Sequence, residues 1–131
     1  MNVKNDQDKA FQELVELMAA LRGPDGCPWD RKQTPESLKP FLVEECYEVI
    51  DALDEGQPDK IKEELGDLLF QIIFHARIAE EAGQFSMRDV ITAIHEKMTR
   101  RHPHVFGDEK LFTDKEVLAN WEEIKKKESK P

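Results

Sequence analysis

Apolar positions recur along this chain at the three- and four-residue spacing of helices. Residues 7–22 place Phe11, Leu14, Val15, Met18 and Leu21 on one face, and Gly23 is a natural terminator. The run 23–37, GPDGCPWDRKQTPES, is dense in Gly, Pro and Asp and reads as a loop. Thr34 followed by Pro35 marks a helix start, and this second helix runs to about Glu55, ending at Gly56. Pro58 opens a third helix, long and largely apolar, closed by Gly83. Ser86 with Asp89, and Thr113 with Glu116, resemble capping boxes. They start a fourth helix, stopping near Arg101 before Pro103, and a final one that fades into KKKESKP. No alternating apolar/polar run marks a strand. The pattern predicts an all-α fold, an antiparallel bundle of about four to five helices joined by short turns.

A length of 131 residues fits a single domain over 1–131, large enough to bury a core without disulfide staples. Nineteen Lys and Arg against 28 Asp and Glu leave a net charge of −9, which argues against a nucleic-acid-coating surface. The surplus fits either a solubilising surface or a site that collects cations. No run approaches the ~20 apolar residues of a membrane-spanning helix. MNVKNDQDKAFQ lacks the apolar stretch of a secretory signal, so the expected location is cytoplasmic. Cys27 and Cys46, 19 positions apart and without a CxxC pair, read as reduced thiols.

Acidic residues concentrate on the second and third helices. The apolar stripe Leu42, Val43, Cys46, Val49, Ile50, Leu53 leaves Glu44, Glu48 and Asp51 opposite, with Glu45 at the boundary. Glu45 and Glu48 stand one turn apart, and Glu64 and Asp67 repeat that spacing. Asp67 begins a row that continues through Phe70, Phe74 and Ile78, so it is expected to point along a buried stripe and to need a partner. Two carboxylate pairs on adjacent helices suit a hard, oxygen-seeking cation such as Mg²⁺. Spacing alone leaves open a solvated acidic face with ordinary salt bridges. A ferritin-like di-iron centre needs Glu-x-x-His pairs, and neither carboxylate pair here supplies the His. Glu63-Glu64-Leu65-Gly66 looks like the core of a Nudix box, but Asp59-Lys60 replaces its Arg-Glu pair and Asp67 its aliphatic residue.

Lys97 and Arg101 lie one turn apart on the fourth helix beside Arg100, suited to phosphate or simply to a helix C-terminus. Lys60 is a weaker cation of the same kind. His75, among Ile72, Phe74 and Ile78, reads as a packed, hydrogen-bonded histidine, and His102-Pro103-His104 as an extended loop. Trp29 either packs its loop on the bundle or frames a pocket. There is neither a nucleophile constellation nor a GxxxxGK[ST] phosphate loop.

Glu44-Glu45-x-x-Glu48, fifteen residues, then Glu64-x-x-Asp67 is similar to the metal-binding signature of the MazG nucleoside triphosphate pyrophosphohydrolases. LRGPDGCPWDRKQT at 21–34, ESLKPFLVEECYEV at 36–49, EELGDLLFQIIFHARIA at 63–79 and RRHPHVFGD at 100–108 extend the likeness over most of the chain. It resembles the GCPWD-bearing N-terminal type of domain. The resemblance implies an all-α fold and Mg²⁺-dependent hydrolysis of nucleoside triphosphates to monophosphate and pyrophosphate, with Mn²⁺ able to stand in. It implies that Glu45, Glu48, Glu64 and Asp67 hold the metal, with Glu44 beside them as a water-orienting base. It further implies that Lys97, Arg101 and Lys60 meet the phosphates, that Trp121 lies near the nucleotide, and that copies assemble as a homodimer or a dimer of dimers. A second expectation is a non-catalytic metal- or nucleotide-binding module that acts through a protein partner.

Overall fold

The computed structural model of the chain describes residues 3–129, and no strand occurs among them. The helices are α1 (Val3–Leu21), α2 (Pro28–Lys32), α3 (Pro35–Glu55), α4 (Pro58–Glu81), α5 (Met87–Arg101), α6 (Pro103–Phe106) and α7 (Asp114–Ser129). Lys130 and Pro131 of the final basic run lie outside the described residues.

The five long helices are those the periodicity predicts; α2 and α6 raise the count above it. Both occupy segments that read as loop, and both start on a proline. Proline pre-sets a helical φ and gives up an N–H that the first turn leaves unpaired anyway. His102-Pro103-His104 is therefore a helical turn rather than the extended loop expected.

Local chemistry sets the boundaries. Thr34 and Ser37 exchange reciprocal bonds, Ser37 N to Thr34 Oγ1 at 3.1 Å and Thr34 N to Ser37 Oγ at 2.8 Å. Gly56 ends α3 at φ 74°, a left-handed turn that favours glycine. Thr113 Oγ1 accepts the Glu116 N–H at 3.2 Å at the start of α7.

The chain divides into two compact units, Met1–Met87 and Arg88–Pro131. In the first, the short connection at Gly56–Gln57 turns α4 back along α3, and α1 packs on α4. Met18 of α1, Leu38 of α3, and Ile73 and Phe74 of α4 form the core, with Phe11, Leu14, Leu69, Phe70, Ile78 and Met87 around it. Arg22 ties three segments together: it donates to the carbonyls of Asp30 at 2.6 Å and Gln33 at 3.0 Å, and to Glu81. Its guanidinium also lies 5.7 Å from the centre of the Phe74 ring.

This core is smaller than the chain length leads one to expect. All eight buried apolar side chains among the described residues belong to the first unit, and α5, α6 and α7 bury none fully. The reason is visible on α3, whose apolar band is covered along one edge only. Leu38, Val49 and Ala52 are buried, whereas Val43, Tyr47, Ile50 and Leu53 are 51–64% exposed.

Candidate metal centre

The pairing of α3 with α4 sets Glu45 against Glu64 and Asp67. One carboxylate oxygen from each lies within 4.8 Å of the other two. Glu45 is half-buried, and its Oε2 is enclosed with no hydrogen-bond partner. Buried oxygens of this kind are costly unless something binds them.

Two expectations change places here. Asp67, expected along a buried stripe, is exposed, while Glu45, placed at a boundary, turns inward. Burial along the Asp67 row starts only at Phe70, because level with Asp67 the facing side of α3 carries Glu45 instead of an apolar side chain. Glu48, assigned to the polar face, is half-buried one turn beyond Glu45; it lies outside the close trio. The apolar stripe drawn from sequence was centred too far toward Val43 and Ile50, which placed Glu48 on the wrong side. Glu44 is exposed.

The electrostatics follow from this crowding. Burial, then repulsion from Asp67, Glu64, Glu44 and Glu48, raises the Glu45 carboxyl above its ordinary range. Partial burial raises Glu64 as well, reinforced by Asp67, Glu48 and Glu63 and opposed by Lys60. Lys60 is thus close enough to be felt, though its Nζ rests 3.4 Å from Glu55 Oε2. Three carboxylates with oxygens this close, one of them carrying an enclosed and unpaired oxygen, in a field of like charge make a donor set that suits a hard divalent cation such as Mg²⁺ or Mn²⁺.

In the second unit, Lys97 is exposed on α5, one turn before Arg101. Arg101 is 15% exposed and sits over the Trp121 ring at 5.2 Å, with His102 edge-on to the same ring at 5.3 Å. Trp121 also borders an open groove of about 550 Å³ with Asp114, Val117, Leu118 and Glu122. Arg101 and Trp121, singled out separately in the sequence, are therefore neighbours. A residue of this unit that sequence reasoning missed is Glu128, which binds both Arg100 and Arg101 and whose carboxyl their bonds hold down at about 2. Its signal was a lone acid inside a lysine-rich run, 27 residues from Arg101.

His75 is half-buried as expected, but its Nε2 has no hydrogen-bond partner; the ring borders a cavity of about 400 Å³ with Pro35, Ile78 and Phe85. Trp29 packs edge-on against Phe41 at 5.6 Å while staying half exposed. No helix among the described residues is long and apolar enough to cross a membrane.

Residues 33–106 match the MazG nucleotide pyrophosphohydrolase domain. A nucleoside triphosphate pyrophosphohydrolase/pyrophosphatase MazG of Thermotoga maritima is 58% identical over 118 residues, covering 90% of this chain and 45% of that protein. The nucleoside triphosphate pyrophosphohydrolase of Escherichia coli K12 is 48% identical over 119 residues, with the same shares, and an uncharacterized Bacillus subtilis protein, YabN, 54% identical over 24% of its length. The chain thus spans less than half of these curated relatives. The crystal structure of a mazG-related protein from Thermotoga maritima superposes with a TM-score of 0.72 at 30% identity, covering 88% of this chain and 98% of that one.

Proposed function

This chain belongs to the MazG nucleotide pyrophosphohydrolase family, and from that premise we propose that it hydrolyses nucleoside triphosphates to the monophosphate and pyrophosphate with Mg²⁺ as cofactor. The observation that carries the reading is the convergence of Glu45, Glu64 and Asp67 within 4.8 Å, with the Glu45 oxygen enclosed and unpaired. These three, with Glu48 one turn along α3, would hold the cation, and Mn²⁺ would be able to replace it. When bound, such an ion would polarise phosphate oxygens and lower the pKa of a nearby water. Glu44, exposed beside Glu45, orients that water and accepts its proton. The water oxygen bonds to the α-phosphorus, the bond from that phosphorus to the bridging oxygen breaks, and pyrophosphate leaves.

Lys97 and Arg101 offset the negative charge of the phosphates, Arg101 by a forked pair of bonds and Lys97 as a point charge. Lys60, already felt by Glu64, serves the same end from the start of α4. Trp121 offers a ring near the base, beside the open groove along α7. Two copies pair through the uncovered α3 edge of Val43, Tyr47, Ile50 and Leu53, as a homodimer or a dimer of dimers. The free thiols of Cys27 and Cys46 agree with work in a reducing cytoplasm, where removal of unwanted nucleotides, deoxynucleotides included, is the role this chemistry suits.

The test is a panel of ribo- and deoxyribonucleoside triphosphates assayed with Mg²⁺ and with EDTA, pyrophosphate and orthophosphate being measured separately. Metal-dependent release of pyrophosphate supports the reading. Release of orthophosphate alone, or no release from any triphosphate, overturns it.

A further inference from the structure

Arg100 and Arg101 are neighbours at the end of α5, where successive side chains point about 100° apart. Two guanidinium groups so placed repel each other. A single carboxylate gathers both. Glu128 Oε2 accepts from Arg100 Nε at 2.6 Å, while Oε1 accepts from Arg101 Nε at 3.2 Å and Nη2 at 2.7 Å. The Arg101 guanidinium also sits over the Trp121 ring, its Cζ 5.2 Å from the ring centre, while its Nε–Nη2 edge is turned to Glu128.

That edge is the one an arginine offers to a phosphate, because two parallel N–H groups match two oxygens of an oxyanion. A carboxylate and a phosphate ask for the same donors and cannot both have them. The pair's charge also favours exchange: two cations against one carboxylate leave a positive remainder that a phosphate, with more charge, neutralises better. The far side of the contact is weakly anchored, since α7 buries no residue fully. Letting Glu128 go therefore disrupts little packing.

We propose that the Glu128 carboxylate stands in the phosphate position on Arg100 and Arg101, so that a phosphate-bearing substrate binds there by displacing it and freeing the last turn of α7. The inference rests on the reading of Arg101 as a phosphate contact and goes beyond it. Arg100 becomes part of the anion site, and Glu128 becomes an affinity-determining residue that touches no reacting atom. It explains why Arg101, with 15% of its side chain exposed, already has an oxyanion on its fork.

Binding of inorganic pyrophosphate to the whole chain, followed by calorimetry, tests this independently of turnover. Glu128→Gln should bind pyrophosphate about tenfold more tightly than wild type, the scale of losing one competing charge-assisted contact. Glu128→Asp, which keeps the charge on a shorter arm, should fall between them. Glu123→Gln removes a charge from the same helix, where Glu123 pairs with Lys126 at 3.5 Å, and should bind like wild type. Backbone amides at 124–129 should exchange faster when pyrophosphate is added to wild type, and should already be fast in Glu128→Gln. Equal or weaker binding by Glu128→Gln overturns the exchange, and so does an equal gain in Glu123→Gln. Arg101→Gln with unchanged pyrophosphate affinity overturns the phosphate contact and the exchange together. A wild type that binds pyrophosphate by displacing Glu128 but hydrolyses no triphosphate leaves the exchange standing while the proposed activity fails.

Discussion

Arg22, just past the end of α1, and Glu81, the last residue of α4, are joined by two bonds, Nη2 to Oε1 at 2.6 Å and Nε to Oε2 at 3.1 Å, across 59 positions of sequence. The arginine side chain is 8% exposed and the glutamate 33%. The two ends that flank the core are thereby closed over Phe74.

Replacing Arg22 with Met strands the Asp30 and Gln33 carbonyls and leaves Glu81 without its main partner. The expected loss of stability is about 2 kcal/mol, below the range for fully buried pairs because Glu81 is partly in water. Urea unfolding measures it. Bonds from Arg22, reinforced by Arg77, hold the Glu81 carboxyl below its ordinary 4.5, so the ionised form favours folding. That contribution is present above pH 4.5 and fades as pH falls through the lowered value. Glu81→Gln should therefore be less stable than wild type at pH 7, and the gap should close in acid. A constant gap from pH 7 to pH 3 would contradict the assignment.

A side chain at Gly26 would overlap the carbonyl oxygens of Ala20 and Leu21, and Leu21 O already accepts the Cys27 N–H at 2.8 Å. Backbone cannot swing aside as a flexible side chain can. Gly26→Ala should cost about 1–3 kcal/mol through overpacking. Gly66→Ala, where the added carbon meets open space and helix propensity improves, should be neutral or stabilising in the same melts.

Crowded carboxylates oppose folding when no cation is present. Glu45→Gln and Asp67→Asn should each melt higher than wild type in EDTA, because each removes one member of a repelling set. Wild type should gain about 2.7 kcal/mol with Mg²⁺ at a hundred times its dissociation constant, and the variants much less. Both variants should also lose pyrophosphate release. Variants that gain from Mg²⁺ as wild type does would remove these residues from the metal.

An aspartate in the uncovered α3 edge should keep copies apart. Ile50 is 51% exposed in the single chain, so Ile50→Asp should leave helix content unchanged while lowering the mass seen by sedimentation. The same mass for wild type and variant at every concentration would overturn pairing through this edge.

Helix limits were legible because they are local. Thr34, Gly56, Pro58 and Thr113 act within a turn of themselves, and each marks a boundary that the structure keeps. The short helices α2 and α6 were not, since the prolines that start them are also what makes a segment read as loop. The carboxylate pattern singled out Glu45, Glu64 and Asp67, which the structure brings together, but misjudged their burial. Glu45 turns inward because α4 covers one edge of a wide apolar band, and which edge is a tertiary choice. Arg22 and Glu128 went unnoticed for a related reason: their partners stand 59 and 27–28 residues away, where no periodicity reaches.

If copies pair through the four bare side chains on α3, as proposed above, the protein's own abundance becomes a physical variable. A row of apolar surface left in water is an energy that only contact can recover, and contact depends on how many copies are near. Under that pairing dilution would work on this fold as a mild denaturant, and a cell that makes more of the chain would make each copy harder to unfold.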